Sequence, residues 1–280
     1  MPALRRHIIT GDPILFAPER AGRPNAFGGE ENGVCPFCPD NETMTPPEIE
    51  RAGEPWRIRV FPNKYPAVTG HEVVVESPGH RATFEALAWP DEVVATYVRR
   101  YRAHGDAAFI ALFTNHGRGA GASINHLHSQ LMPLPFVPPR VERERAAFGS
   151  GAKCPLCLEI GRHRDEGLVI EESGGFVRLA PSGSSHAYEQ WIVPLRHQAE
   201  IIAMDDGEIA GLGTALQRAA RAAGSVSRSH NVVFVSFRGE ARAHFYVMVI
   251  PRLAALAGFE LGTGTFIDMM DPAAAARVLR

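Results

Sequence analysis

The chain has 280 residues, a formal charge of −2 and 45% hydrophobic residues. That length allows one large domain or two smaller ones, each able to bury a core. A charge so near zero excludes bulk electrostatic attraction to nucleic acid or to an anionic membrane, and no apolar run reaches the ~20 residues of a spanning helix. Arg5 and Arg6 are not followed by an apolar signal core before Asp12 and Pro13, so a cytoplasmic location is expected.

In chain order, Ile8-Ile9 and Ile14-Leu15-Phe16 predict a short hairpin, then an arm through Arg20–Pro24 and a Gly-rich loop over Gly28–Gly33. Cys35-Pro-Phe-Cys38 follows, with Pro39-Asp40-Asn41 supplying turn chemistry. Arg57–Phe61 and His71–Ser77 predict strands, the second rich in β-branched residues. Val93, Val94, Tyr97, Val98 and Tyr101 recur at helical spacing, which predicts a helix within Phe84–Ala103, and Pro90-Asp91 marks a start. Phe109–Thr114 predicts a buried strand. Gly117–Pro135 then joins a Gly- and Ala-rich loop to a strand with His126, His128 and Gln130 at alternate positions, hence on one face. Backbone N–H groups in such a loop suit phosphate oxygens. The charged run Arg140–Arg145 reads as a solvated linker or linker helix. The domain boundary is set there, giving units 1–139 and 140–280.

The second unit repeats the first. Cys154-Pro-Leu-Cys157 precedes predicted strands at Leu168–Glu172, Phe176–Ala180 and Tyr188–Val193, then a helix over Glu208–Ala223 and strands at Val232–Phe237 and Ala243–Met248. Cys38 lies 42 positions before His80, and Cys157 lies 40 before His197. His80 to His126 spans 46 positions, and His197 to His244 spans 47. Two matching intervals in the same residue order argue for a duplicated unit.

All four cysteines sit in these two pairs. In a cytosolic chain such pairs read as metal ligands or redox centres before disulfides. Two thiolates and two imidazoles make a closed tetrahedral zinc site. The expected sites are Cys35, Cys38, His80 and His126, and Cys154, Cys157, His197 and His244. His71, His116 and His186 are spare candidates. Closed sites of this kind hold a fold together rather than catalyse.

With His126 tied to metal, His128 is the imidazole left on that face, and a neutral imidazole can attack phosphorus. Donors for the developing charge could come from the 117–123 backbone, Gly121 included, and from Ser123, Asn115 and Gln130. Aligning His244 with His126 places Tyr246 at His128 and Met248 at Gln130. The second unit thus keeps the metal pattern and lacks the chemistry.

These residues resemble the galactose-1-phosphate uridylyltransferase family of the histidine-triad superfamily. The resemblance covers nearly the whole chain. It runs through Cys35-Pro-Phe-Cys38-Pro-Asp-Asn-Glu42, Arg59-Val-Phe-Pro-Asn-Lys-Tyr-Pro66, Ser77-Pro-Gly-His80, Ala120–Gln130, His244-Phe-Tyr246 and Gly258–Gly264. It implies an α+β fold: a tandem pair of histidine-triad-like units, an antiparallel sheet with flanking helices. It also implies ping-pong nucleotidyl transfer from a nucleoside diphosphate sugar through His128 to hexose 1-phosphate or phosphate, and a homodimer. Gln130 stands where the hydrolase branch has a third histidine. Phe61 and Asn63 match positions near base and ribose, and Phe259 and Glu260 match positions that hold the hexose. Core packing would equally explain the two phenylalanines, and turn or cap roles Asn63 and Glu260. The chain departs from the pattern at Leu127, at Lys64, and at Arg242, which replaces an iron ligand of some relatives. The second Cys-Pro-x-Cys also occurs in the ADP-glucose phosphorylase branch, so adenylyl transfer to phosphate, from ADP-glucose or a dinucleoside polyphosphate, is the alternative. A zinc-knuckle module for nucleic acid is disfavoured by Glu30, Glu31, Asp40 and Glu42 around the first pair. A non-catalytic relative is disfavoured by the intact His128 and Gln130.

Overall fold

The computed structural model describes residues 3–22 and 34–280. Arg23, Pro24, the Gly28–Gly33 loop, Glu30 and Glu31 lie outside the described residues. Strands β1 (Ala3–Arg6) and β2 (Pro13–Phe16) pair as a separate hairpin, with Ile8 and Ile9 in its turn rather than in a strand. The first half then carries β3 (Glu50–Ala52), β4 (Ile58–Pro62), β5 (Glu72–Val75), helix α1 (Pro90–Ala103), β6 (Phe109–His116) and β7 (His128–Leu134). The second carries α2 (Pro139–Ser150), α3 (Pro155–Asp165), β8 (Val169–Ser173), β9 (Phe176–Leu179), β10 (Gln190–Pro194), α4 (Asp206–Val226), β11 (His230–Val235), β12 (Tyr246–Pro251), α5 (Gly258–Thr263) and α6 (Pro272–Leu279).

Strands β3 to β12 form one ten-stranded sheet in the order β3-β4-β5-β7-β6-β11-β12-β10-β9-β8. Every neighbouring pair is antiparallel. Read inward from either edge, the order of strand roles is the same, so an approximate two-fold runs between β6 and β11. Those strands pair from His116↔His230 to Leu112↔Phe234. The fold is therefore α+β and internally duplicated, as the cysteine and histidine spacing implied.

Side-chain alternation divides the sheet into two faces. On one, Val60, Val74, Leu131, Leu112, Val232 and Val249 join the apolar stripes of α1 and α4 in a single core. Helix α4 begins in a capping box, Asp205 accepting from Glu208 N–H while the Glu208 side chain returns to the Asp205 N–H. On the other face the halves differ. Over the second half, Val141 and Phe148 of α2 and Leu156 and Ile160 of α3 pack against Val193, Tyr246 and Met248. Over the first half no helix covers the sheet, and a small cluster of Phe37, Trp56, Phe61, Val73 and Val75 takes that place.

Two local expectations change. His126 is not in a strand: β7 begins at His128, and His126 lies in the bend before it. The ladder stops there because the His126 ring, rather than its backbone, reaches across to Ser77, whose carbonyl accepts from Nε2 at 2.7 Å. The second Cys-Pro-x-Cys does not form a free turn like the first. Cys154 is the N-cap of α3 and its sulfur accepts from Cys157 N–H at 3.5 Å. Proline at the first helical position explains the difference.

Candidate active site

Two Cys2His2 clusters are assembled as expected. Cys35, Cys38, His80 and His126 form one, and Cys154, Cys157, His197 and His244 the other; within each, the four candidate ligand atoms lie within 4.8 Å of one another. Cys38 Sγ is 3.3 Å from His80 Nδ1 and 3.7 Å from His126 Nδ1. Cys157 Sγ is 3.4 Å from both His197 Nδ1 and His244 Nδ1. The edges of a tetrahedron with zinc-like bond lengths are about 3.3–3.8 Å. The ring tautomers fit as well. Nε2 of His126, His197 and His244 donates to the carbonyls of Ser77 (2.7 Å), Ala241 (2.9 Å) and Pro194 (2.9 Å). That turns each Nδ1 lone pair toward the sulfurs. Burial, then the neighbouring cysteine, pushes Cys38 and Cys157 up to about 11. A cation would offset the charge of these paired thiolates. The donor set therefore fits a metal ion in both halves. His71, His116 and His186 belong to neither cluster.

The first cluster anchors the approach to β7. Phe37, inside Cys35-Pro-Phe-Cys38, sets its ring edge-on to His128 with centroids 5.2 Å apart, and packs on Phe61 at 5.6 Å. His128 is buried, and its Nδ1–H donates to the His126 carbonyl at 2.7 Å. That bond fixes the tautomer and puts the lone pair on Nε2. Gln130 follows on the same face. In the neighbouring strand Val75 pairs with His128 and Val73 with Gln130.

His128 lines two cavities. One is mostly apolar, walled by Phe37, Met44, Phe61, Val73 and Ile124, with Asn63, Lys64, Ser123 and Gln130 as polar points. The other is polar and brings in Arg81, Asn115, His116 and Gly117. Asn115 is oriented from the second half, accepting from Asn231 Nδ2 at 2.8 Å. Gly117 has φ +79°, and a Cβ there would stand 2.5 Å from Ser229 Oγ and 2.7 Å from the Arg228 carbonyl. Only glycine lets the loop lie this close to β11.

The two cavities thus bring together Phe61, Asn63, Asn115, Ser123, His128 and Gln130 of the expected site. Gly121, Phe259 and Glu260 line neither. Gly121 ends the short turn at Arg118–Ala120 in a left-handed conformation. Glu260 caps its own helix, accepting from Ala257 N–H at 3.1 Å, and Phe259 is half exposed. Sequence reasoning passed over Arg81 and Asn231. Arg81 directly follows a cluster histidine, which was the available signal; nothing local marks Asn231.

The same position in the second half is closed. Tyr246 stands at the His128 position, and its hydroxyl donates to Glu144 Oε2 (2.9 Å) and accepts from Arg140 Nη2 (3.1 Å), both on α2. Arg140 also reaches Met248 Sδ at 3.1 Å. Where Val73 faces Gln130, Trp191 faces Met248 and stacks on Tyr246 at 4.7 Å.

The family described as "Domain of unknown function (DUF4921)" matches residues 76–279. ADP-glucose phosphorylase of Arabidopsis thaliana is 30% identical over 328 aligned positions, covering 100% of this chain and 92% of that protein. The chain belongs to the DUF4921 family and, with that enzyme, to the galactose-1-phosphate uridylyltransferase family. Within this family, galactose-1-phosphate uridylyltransferase of Thermotoga maritima is 27% identical, covering 100% of this chain and 98% of its own length. The crystal structure of the Arabidopsis thaliana phosphorylase with bound ADP-glucose superposes with a TM-score of 0.81 at 29% identity, over 100% of this chain and 99% of that one. A uridylyltransferase structure superposes with a TM-score of 0.84 at 25% identity, over 100% and 97%. Among the described residues no helix is long and apolar enough to cross a membrane.

Proposed function

We propose that the chain is a nucleotidyltransferase acting on hexose 1-phosphate, of the UDP-glucose–hexose-1-phosphate uridylyltransferase type. One observation carries the reading. The tautomer of His128 is set by the His126 carbonyl, and its ring lies between an apolar and a polar cavity with Gln130 on the same face. The apolar cavity would take the base, with Phe61 and Phe37 against its faces and Asn63 toward the ribose. His128 Nε2 attacks the α-phosphorus of the nucleoside diphosphate sugar. The N–P bond forms as the bond to the bridging oxygen breaks, and sugar 1-phosphate leaves. The imidazole gains positive charge, which the His126 carbonyl stabilises through Nδ1–H. Gln130, Ser123, Asn115 and the loop at Gly121 donate to the phosphoryl oxygens, and Arg81 draws the anionic partner into the polar cavity. The phosphate of the acceptor then attacks the same phosphorus and restores neutral His128.

Zinc is the proposed ion for both clusters; when bound it holds each Cys-Pro-x-Cys segment to its strands. The proposed division of the chain is 1–139, catalytic, and 140–280, degenerate. A homodimer is proposed, supported by the exposed apolar segment with Leu253, Leu256, Phe259, Leu261, Ile267 and Met269. Phe259 and Glu260 would hold the hexose there, and the fully thiol state of the cysteines fits a cytoplasmic setting.

A second reading is adenylyl transfer from ADP-glucose to phosphate. It is favoured by the second Cys2His2 cluster and by the likeness to the plant phosphorylase. The protein incubated with UDP-glucose, and separately with ADP-glucose, is denatured and its intact mass measured. We expect one nucleotidyl adduct whose mass names the base, absent in His128→Gly. No adduct from either donor would sink both readings.

A further inference from the structure

His71 is a buried imidazole, 2% exposed, that the transfer chemistry does not use. It lies just before β5, next to the strand that carries Gln130. Its Nδ1 accepts from Ala67 N–H at 3.2 Å. The ring proton of the neutral imidazole is therefore on Nε2. That nitrogen lies 3.1 Å from Gln130 Oε1, so Nε2–H donates into the amide oxygen. The same nitrogen lies 3.3 Å from Asn63 Nδ2, and Asn63 Oδ1 accepts from Tyr65 N–H at 2.8 Å.

The two ends of a glutamine amide have the same shape and opposite hydrogen-bonding character. An unanchored Gln130 would offer the phosphoryl oxygens a repelling acceptor as readily as a donor. Once its oxygen is committed to His71, the NH2 end is what remains for the cavity. We propose that His71 is a positioning residue: its Nε2–H orients the Gln130 amide so that the donor end meets the charge developing on the transferred phosphoryl group. This rests on the nucleotidyl-transfer reading. A purely space-filling role would need no donor at this point, and a phenylalanine would fill the volume without burying polar nitrogen.

The test is single-turnover formation of the nucleotidyl adduct, with thermal melting recorded for each variant. His71→Phe keeps the ring and removes the donor. His71→Gln restores an N–H of similar reach. Both are made alone and with Gln130→Ala. We expect His71→Phe to slow adduct formation by about tenfold or more, with the half-saturating donor concentration moving less than about twofold. His71→Gln should recover most of the rate. His71→Phe added to Gln130→Ala should cost nothing further, because its effect passes through the amide. Additive losses in the double variant, or a His71→Phe protein as fast as wild type, would overturn the proposal. If His71→Phe fails to fold, a slow and well-folded His71→Gln overturns it equally. A wild type that forms no adduct overturns the transfer reading and this proposal together, an outcome distinct from a wild type that reacts and a variant that matches it.

Discussion

Ser129 stands between His128 and Gln130 and turns to the opposite face, where Glu76 is fully buried. Glu76 Oε1 accepts from the Tyr97 hydroxyl and from Ser129 Oγ, each at 2.5 Å, while Oε2 has no hydrogen-bond partner. Burial pushes this carboxyl up to about 7 against those two bonds. A group that holds its proton more tightly folded than unfolded loses stability as pH rises, here from about 4.5 through 7. Glu76→Gln removes that loss. Its Tm should exceed wild type at pH 8, by about 2–3 kcal/mol in stability, with the gain fading toward pH 5; a gain independent of pH would refute this. Buried histidines act in the opposite sense. Burial holds His126, His230 and His244 down at about 4, so stability is lost as pH falls from about 6.5 to 4. Replacing His230, which belongs to neither cluster, by Gln should flatten that acid limb in melting curves. The pair His128 and Gln130 could be read from the chain because strand parity is a local property. His71 could not, because its meaning depends on β5 lying beside β7, across 59 residues of sequence.

The Cys2His2 clusters act on the elements they tie together, and the two halves use them differently. The first fixes the bend at His126, whose carbonyl sets the His128 tautomer. The second fixes the approach to β12, where α2 already covers Tyr246. Metal analysis should return two zinc per chain, and Cys38→Ser and Cys157→Ser should each lose one. Cys38→Ser should also slow adduct formation strongly, whereas Cys157→Ser should lower Tm with the rate held within about twofold. Adduct formation abolished by Cys157→Ser would contradict this division. Most long elements were legible: the β-branched runs and the helical period of α1 and α4 carry their own signal. Helix α2 was harder. Its charged run resembles a linker, and only Val141 and Phe148, seven positions apart, mark an apolar face. Strand β3 is three residues with two charges and no alternation to read.

The halves are welded into one body by more than the β6–β11 ladder. Helices α1 and α4, one from each half, cross where α4 carries Gly213. A Cβ there would lie 2.9 Å from Asp91 N and from the Pro90 carbonyl carbon, both backbone atoms at the start of α1. Gly213→Val should therefore cost about 2–4 kcal/mol in urea unfolding, with both halves still melting in one transition. Two separated transitions would show that the crossing does not couple them. Fusing two five-stranded units edge to edge has another consequence. Two separate sheets would expose four outer strands, each a template for pairing with a foreign chain; the fused sheet exposes two. Both are blunted. Strand β3 is short, with Glu50 paired to Arg99. Strand β8 is bulged between Val169 and Glu171, and Arg164 and Arg218 hold its Glu172 and Glu171 side chains. The duplication thus removes two sites from which fibrillar aggregation could start, and charge protects the two that remain.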